Sequence, residues 1–580
     1  MFNKYYQDEL LYLRESGREF ADANPEAARF IGQPGADPDV ERMLEGFAFL
    51  TAKLRQKLDD ELPELTHSFT EMFWPHYLRP VPATTTIQFS ALATAAGEIK
   101  QIPRGVQIDS SPVDDTRCRF TTSYDVTLLP LELKNLEMRR EAPPRLTLSF
   151  DAPGKLPLDK LEIPSIRLFL AGEPVVTRAL YLALNRLVKR IVVRDGSDSA
   201  RRFELPPTAL APVGFDDSQA VLRGPGPSFS GFRLLQEYFT CPQKFMYMDL
   251  TGLQGLQKFA GAKSFHVDIE LTRLPENMPP VSKSNVLLHC TPAVNLFAHD
   301  ADPIRLDRTR TEYVLRPTGA NPQQFEIFNV DRVYALVLGT AETREFRQQF
   351  KVPRSGRRDE LYFHVRRHPG VVNNGQRLTI AFIEPADAQS RPNIENVSIE
   401  LTCTNGNLPS RLEAGDINQK TQNSPLFAAF KSIGRPTPTV PAPLKEDMLW
   451  RLVSHLSLNY MSLLSVDALR TVVGLYNFRA NVDRQAEQAH ARLLEGIKEV
   501  KGRTAMRLFE GLPVRGQEVD LLLDEDQMGG EGELFFFATV LDRFFAQYVS
   551  LNSFSRLQVT GAKLGEVYSW PARIGHQAVL

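Results

Sequence analysis

Val81-Pro82-Ala83-Thr84-Thr85-Thr86-Ile87-Gln88-Phe89-Ser90 is where the chain changes texture. The run from Thr84 to Ser90 is β-branched and alternating, the period-two pattern of a half-exposed strand. Upstream of it the period is helical. Tyr5, Tyr6, Leu10, Leu13, Gly17, Phe20 and Ala21 recur at three- and four-residue steps, which sets them on one helical face. Asn24-Pro25 and Gly32-Gln33-Pro34-Gly35 break that helix, and Asp37-Pro38 restarts one with an Asp cap and Pro in the first turn. Val40, Met43, Leu44, Phe47, Leu54 and Leu58 read as its buried stripe, and an aromatic segment through Phe73-Trp74-Pro75 follows. Residues 1–80 therefore read as a helical N-terminal region.

Downstream, short strand-like runs continue to about residue 435. They include Arg145 to Phe150, Ile166 to Leu170, Phe265 to Leu271, Glu312 to Leu315, Val333 to Leu338 and Val397 to Thr402. Ala179 to Lys189 is the clearest helical exception. We expect two β-rich domains here, over 81–275 and 276–435. Pro436-Thr437-Pro438-Thr439-Val440-Pro441-Ala442-Pro443 then reads as a stiff, extended linker. It would set the angle between the middle of the chain and an α+β module over 436–580, and let that angle change when the assembly acts. The fold class is α+β, β-rich and multidomain, and 580 residues at roughly 150 per domain agree with about four regions.

The C-terminal module has a helical stripe over Leu449 to Leu464 and a prominent helix from Glu533 to Val549. The main stripe of the second is Leu534, Phe537, Ala538, Leu541, Phe544, Phe545 and Tyr548, with Phe536 and Val540 on the opposite face. A helix apolar on two faces lies between layers or between subunits. We take Phe536, Val540 and the adjoining Phe535 as interface residues. On that reading Phe536→Asp weakens association while the fold survives, and Phe545→Asp damages the fold itself.

Composition points away from chemistry. Lys plus Arg number 68 and Asp plus Glu 70, a net charge of -2, which does not suit a protein that coats nucleic acid. There are 41 Pro and 36 Phe against 10 His and 4 Cys. Cys118, Cys241, Cys290 and Cys403 are far apart and form no CxxC pair, so neither a zinc ribbon nor a disulfide scaffold is expected. The N-terminus has no apolar signal region, and the densest apolar run, Leu534 to Leu541, is too short to span a membrane. A cytoplasmic chain is the expectation.

Each motif that approaches a site misses it. His364-Val365-Arg366-Arg367-His368 has zinc-like spacing but lies in a strand and lacks the catalytic Glu. His289-Cys290 with His299 reads as packing. Gly255 to Ser264 has one residue too many for a phosphate loop, and Gly226 to Gly231 fails the nucleophile elbow by one. Asp524-Glu525-Asp526-Gln527-Met528-Gly529 starts like a calcium loop but has Met528 at a ligand position. No catalytic residue, cofactor, metal, nucleic acid or small-molecule substrate is expected. The alternative is a β-rich carbohydrate-binding or hydrolytic protein whose paired acids meet only in three dimensions.

Several stretches, in order and spacing, resemble the TssF family (also called ImpG or VasA), a type VI secretion system baseplate family. They are Tyr5 to Arg14 with Phe20-Ala21 and Pro25, Phe73 to Pro80, Cys118 to Thr122, Gly231 to Phe239 and Pro292 to Phe297. Cys403-Thr404-Asn405 with Leu408-Pro409, Leu456 to Tyr460, and Phe544 to Tyr548 before Leu551 to Phe554 complete the set. Gly406-Asn407 departs from it, standing where a charged pair is expected. The resemblance implies a non-enzymatic scaffold, present as two copies per wedge with TssG, joined by TssK and TssE around the VgrG hub. Such a wedge is a platform for the Hcp tube and the TssB/TssC sheath. It is docked to the membrane complex at the inner face of the cytoplasmic membrane.

Overall fold

The alternating run at Thr84 becomes the strand Thr84–Ala91, the inner seam of a six-stranded sheet. The structure is a computed structural model. It describes most of residues 74–443 and 464–575, leaving out 93–96, 154–156, 199, 223–229, 308–309, 320–323, 338–341, 349–360, 370–375, 384–393, 510 and 550–551. Of the first 73 residues it describes 6–7, 9–14, 16, 18, 38–40, 42–53 and 70–71. The chain forms two compact units, 1–74 with 444–453, and 75–443 with 454–580.

In the first unit the described pieces at 9–14 and 38–53 are helical, as their periodicity requires. The phase of the second piece differs from expectation. Val40 and Leu44 are half-buried and Ala48 and Ala52 fully buried, whereas Met43 and Phe47 are exposed. The four-residue step holds, but the buried line lies one position round the helix.

In the second unit the six-stranded sheet runs in the order Ile417–Lys420, Gln107–Val113, Thr116–Thr122, Cys290–Val294, Thr84–Ala91, Ala428–Ser432. Its two edges return to each other, Gly415 N–H donating to the Ser432 carbonyl at 3.0 Å, so the sheet curls into a barrel. Ile87, Phe89, Ile108, Cys118, Phe120 and Ile417 fill it. These are the alternate positions of each strand, which is why the pattern was readable.

Between Cys290–Val294 and Ile417–Lys420 the chain leaves the barrel to form an eight-stranded sheet over 297–404. That sheet also turns back on itself: Ala301 bridges Pro317, and Thr318 N–H donates to the Asp300 carbonyl. Val333, Ile380, Val397 and Cys403 lie in its core. The expected boundary at 275 is thus not a structural division. Cys290–Val294, Ile417–Lys420 and Ala428–Ser432 complete a barrel begun by strands before it, and a linear reading cannot see a chain that departs and comes back.

Residues 132–288 build two further sheets, one of five strands around Ser264–Leu271 and one of four around Ser165–Leu170. The helix Pro174–Arg186 joins them. It begins earlier than the expected Ala179, with Pro174 in the first turn, and stops at Arg186 because Val188 opens the next strand. The C-terminal region is a long hairpin, Ile497–Phe509 with Leu512–Leu523, and then Ser553–Gly561 parallel to its second arm. A parallel pair needs a crossover, which the helix Glu531–Tyr548 supplies.

The proline run is extended, as four prolines dictate, but it is not a free joint. Val81 and Val440 exchange backbone hydrogen bonds of 2.7 and 2.9 Å. Thr437 N–H donates to the Thr84 carbonyl at 2.8 Å, and the Thr439 hydroxyl donates to Gly406 O at 2.6 Å. The run is sewn along the first barrel strand, which corrects the expectation of a hinge there. The stripe expected from Leu449 lies almost wholly within 444–463, outside the described residues.

Candidate assembly scaffold: a covered hub helix and an asparagine clasp

The helix Glu531–Tyr548 starts after Gly530, whose φ of 114° favours glycine, and carries Glu531 and Glu533 in its first turn, where the helix dipole favours anions. Phe536, Phe537, Val540, Leu541, Phe544 and Phe545 are all fully buried and Phe535 is 5% exposed. Phe536 meets Tyr181 at 5.5 Å, Tyr238 at 5.1 Å and Phe245 at 5.7 Å between ring centroids, with the Arg178 guanidinium 4.2 Å above it. Phe535 stacks on Trp570 and meets Tyr568 edge-on. Gly532 lets the helix approach the backbone of Pro174–Arg186: a Cβ there would lie 2.7 Å from the Arg178 carbonyl carbon.

Phe535, Phe536 and Val540 are therefore interior residues, not an open interface. Two apolar faces imply layers or subunits on either side, and here the covering layers are two helices and a sheet of this same chain. Periodicity records how many faces are covered and carries nothing about which chain covers them.

Buried charge locks the hub at its N-terminal end. Glu531, 3% exposed, takes Arg273, the Tyr568 hydroxyl and the Glu276 N–H. Burial pushes its carboxyl up, but these donors outweigh burial and hold it below the ordinary carboxylate range. Glu533 accepts from Arg178 at 2.8 Å and from the Tyr238 hydroxyl at 2.7 Å. Further along, Arg573 pairs at 2.6 Å with Asp542, which is 2% exposed. Beneath, the fully buried Glu237 accepts from Val221 and Leu222 N–H at 2.8 and 2.9 Å and pairs with buried Lys244.

A groove of about 760 Å³ runs past this end of the helix, lined in part by Glu525, Glu531 and Glu533. Glu525 accepts from Lys563 and Leu564 N–H at 3.0 and 3.2 Å. All three carboxylates are committed to the fold, and the lowered Glu531 is the reverse of what a general acid needs. Asp524 caps the single helical turn Glu525–Met528 through Asp526 and Gln527 N–H, so the calcium-like run is a helix start. His364 and His368 lie along the strand Leu361–Pro369. His289 Nε2 accepts from Leu129 N–H at 3.1 Å, and burial lowers its pKa to about 4, so it is a neutral structural acceptor. Among the described residues no three His, Cys, Asp or Glu side chains are placed to hold a metal, and no helix is long and apolar enough to cross a membrane. The four cysteines are free and buried.

A second joint sits where the inserted sheet meets the barrel. Asn295 and Asn405, both fully buried, clasp each other: Asn295 Nδ2 donates to Asn405 Oδ1 at 2.8 Å, and Asn405 N–H to Asn295 Oδ1 at 2.7 Å. Arg119 N–H donates to the same Asn405 oxygen, and its carbonyl accepts from Asn295. The clasp satisfies buried amides at both the exit and the return of the inserted chain.

The family described as "Type VI secretion system, TssF" matches residues 1–577. The chain belongs to the TssF family. The type VI secretion system component TssF1 of Pseudomonas aeruginosa is 30% identical over 627 aligned residues, covering 99% of this chain and 98% of that one. A chain of the cryo-electron microscopy structure of the TssK-TssF-TssG baseplate subcomplex of a type VI secretion system matches with a TM-score of 0.76 at 29% identity, over 93% of this chain and all of that one. A chain from the baseplate complex of the type VI secretion system matches with a TM-score of 0.62 at 27% identity, over the whole of both.

Five of the stretches that carry the TssF resemblance meet at the two joints. Cys118–Thr122, Pro292–Phe297 and Cys403–Asn405 supply Arg119, Asn295 and Asn405 of the clasp. Gly231–Phe239 and Phe544–Tyr548 meet through Phe232, whose ring lies 5.8 Å from both Phe544 and Tyr548. In the stretch Phe73–Pro80, Tyr77 sits edge-on to Phe478 at 4.9 Å, and Arg79 donates to Asn329 at 2.8 Å. Sequence reasoning missed the clasp because two asparagines 110 positions apart carry no local signal. The departure at Gly406 is local: its φ is 53°, and its carbonyl accepts the Thr439 hydroxyl.

Proposed function

We propose that this TssF-family chain is a structural wedge subunit of a type VI secretion baseplate. It works in the cytoplasm, docked at the inner face of the membrane through the secretion apparatus, and is not an enzyme. Two copies join TssG and TssK, with TssE and the VgrG hub as further neighbours, and the wedge is the platform on which tube and sheath grow. The single observation that supports this most is the match over 93% of the chain to a TssF-TssG-TssK baseplate subcomplex. The interior agrees with it: carboxylates and aromatics that an enzyme would present to substrate are spent here on holding layers together.

Co-expression of the full chain with its cognate TssG and TssK tests the reading. The expected result is a stable complex on size exclusion, with two copies of this chain per TssG by native mass spectrometry. A lone monomer in the presence of both partners overturns it, and a single copy per complex overturns the stoichiometry.

A further inference from the structure

We infer that the outer edge of the strand Ile497–Phe509 receives an additional β-strand from a different protein of the assembly, one rich in carboxylates and bearing apolar side chains on one face. The inference rests on the baseplate reading and names the chemistry of one contact within it.

Three features point there. Among the described residues Ile497–Phe509 is the terminal strand of its sheet, pairing on one side, residue by residue, with Leu512–Leu523. Its other side offers a row of backbone donors and acceptors that no strand among the described residues takes up. At 13 residues, without a proline and with its one bulge at the inner end, it lacks the shortening and kinking that usually blunt an edge.

The apolar face runs on past its own cover. Val519, Leu521 and Leu523 point into the core, and alternation puts Pro513, Arg515 and Gln517 on that same face. The register sets Leu508 opposite Pro513 and Met506 opposite Arg515. Leu508 is 74% and Met506 69% exposed, so the core face extends beyond the layer that covers it. Leu512, 69% exposed, adds a third apolar side chain at the turn.

Charge selects the occupant. Among the described residues of the two strands, Lys498, Lys501, Arg503, Arg507 and Arg515 outnumber Glu499, Glu518 and Asp520. Glu518 from the inner half is shared by Arg503, Arg507 and Arg556. Arg503 and Arg507, both on the edge strand, share that one carboxylate with Arg556 of the inner strand Ser553–Gly561, which leaves the edge cationic. A second copy of the same edge would set cations opposite cations, which is unfavourable in a strand pair, whereas an acidic strand is attracted.

The test uses the assembled complex. Size exclusion establishes assembly first. Hydrogen exchange then compares the amides of 499–509 in the isolated chain and in the complex, and a zero-length carbodiimide cross-linker reports carboxylates within reach of Lys498 and Lys501. We expect exchange at alternate amides at least tenfold slower on assembly, and cross-links from these lysines to Asp or Glu of another protein. The variant Met506→Asp/Leu508→Asp should keep the melting temperature of the isolated chain and lose both signals. Unchanged exchange with only the internal Lys501–Glu499 and Lys498–Asp524 links, in a complex that does form, overturns the inference and leaves the baseplate reading standing. Links to a second copy of this chain overturn the identity of the occupant. Failure of any complex to form overturns both.

Discussion

The helix Glu531–Tyr548 and the outer half of the hairpin Ile497–Leu523 both carry apolar side chains on a face that one neighbouring layer does not explain. The helix is covered on every side by its own chain. The hairpin is covered only where it lies under the helical layer, and Met506, Leu508 and Leu512 stand in solvent. The comparison teaches that two-faced apolarity in sequence predicts layering, while the surplus over what the chain can cover predicts partners. The helix looked like the interface because its apolar density is greater, yet greater density is what an interior requires.

The sharpest way to break that contrast is to charge each element in turn. Phe536→Asp should now prevent folding, since it removes the ring packed among Tyr181, Tyr238 and Phe245 and buries a carboxylate beside an Arg178 already paired with Glu533, at a cost of about 4 kcal/mol or more. Leu508→Asp in the isolated chain should move stability by no more than about 0.5 kcal/mol. Denaturant unfolding of the two variants decides it, and equal losses would erase the distinction between covered and open faces.

The polar joints extend the comparison from apolar to hydrogen-bonded interiors. Asn405→Leu leaves Arg119 N–H and the Asn295 amide without their shared acceptor, and about 3 kcal/mol should be lost, two buried donors at 1–3 kcal/mol each less some relaxation. Calorimetry that finds a change below 1 kcal/mol would show the clasp to be wet and dispensable. Replacing Pro436, Pro438, Pro441 and Pro443 with Gly/Ser should cost about 2 kcal/mol, because the run is docked on the barrel and the flexible substitutes gain unfolded-state entropy. A substitution that leaves the melting temperature unchanged but abolishes secretion would restore the hinge.

The smallest effect is a slope with pH. His289 titrates near its ordinary 6.5 in the unfolded chain but only near 4 when buried. The unfolded state therefore binds the extra proton between those values. Stability contributed by the neutral ring is intact above about pH 6.5 and falls as pH drops toward 4. Melting temperatures of the wild type and His289→Asn between pH 7 and 4.5 should diverge at the acid end, with the flatter curve belonging to the variant. Asn also suits the φ of 60° at this position.

What was legible in the sequence was local. The strands Arg145–Asp151, Ser165–Leu170 and Ser264–Leu271 fall within a residue of their alternating runs, and the helix 531–548 within two. Everything that depended on where the chain returns was hidden. The barrel's last strands lie beyond an inserted sheet, the proline run is held by partners far upstream, and Asn295 meets Asn405 across the whole length of that sheet. The phase of the helix over 38–53 was misread for a related reason, since large side chains were preferred to the alanines that are in fact inside.

The barrel's seam also sets a clock. Thr84 bonds Thr437, 353 positions later, and the first strand cannot find its outer neighbour until that much more chain exists. At the roughly 5–20 residues per second of bacterial and cellular synthesis, the wait is on the order of 20–70 seconds. Throughout it, Ile87 and Phe89 face the cell milieu with one side of their strand unpaired. The inserted sheet, complete in itself between 297 and 404, can settle first and bring the distant ends together, so the lobe that interrupts the barrel is also what shortens the search that closes it.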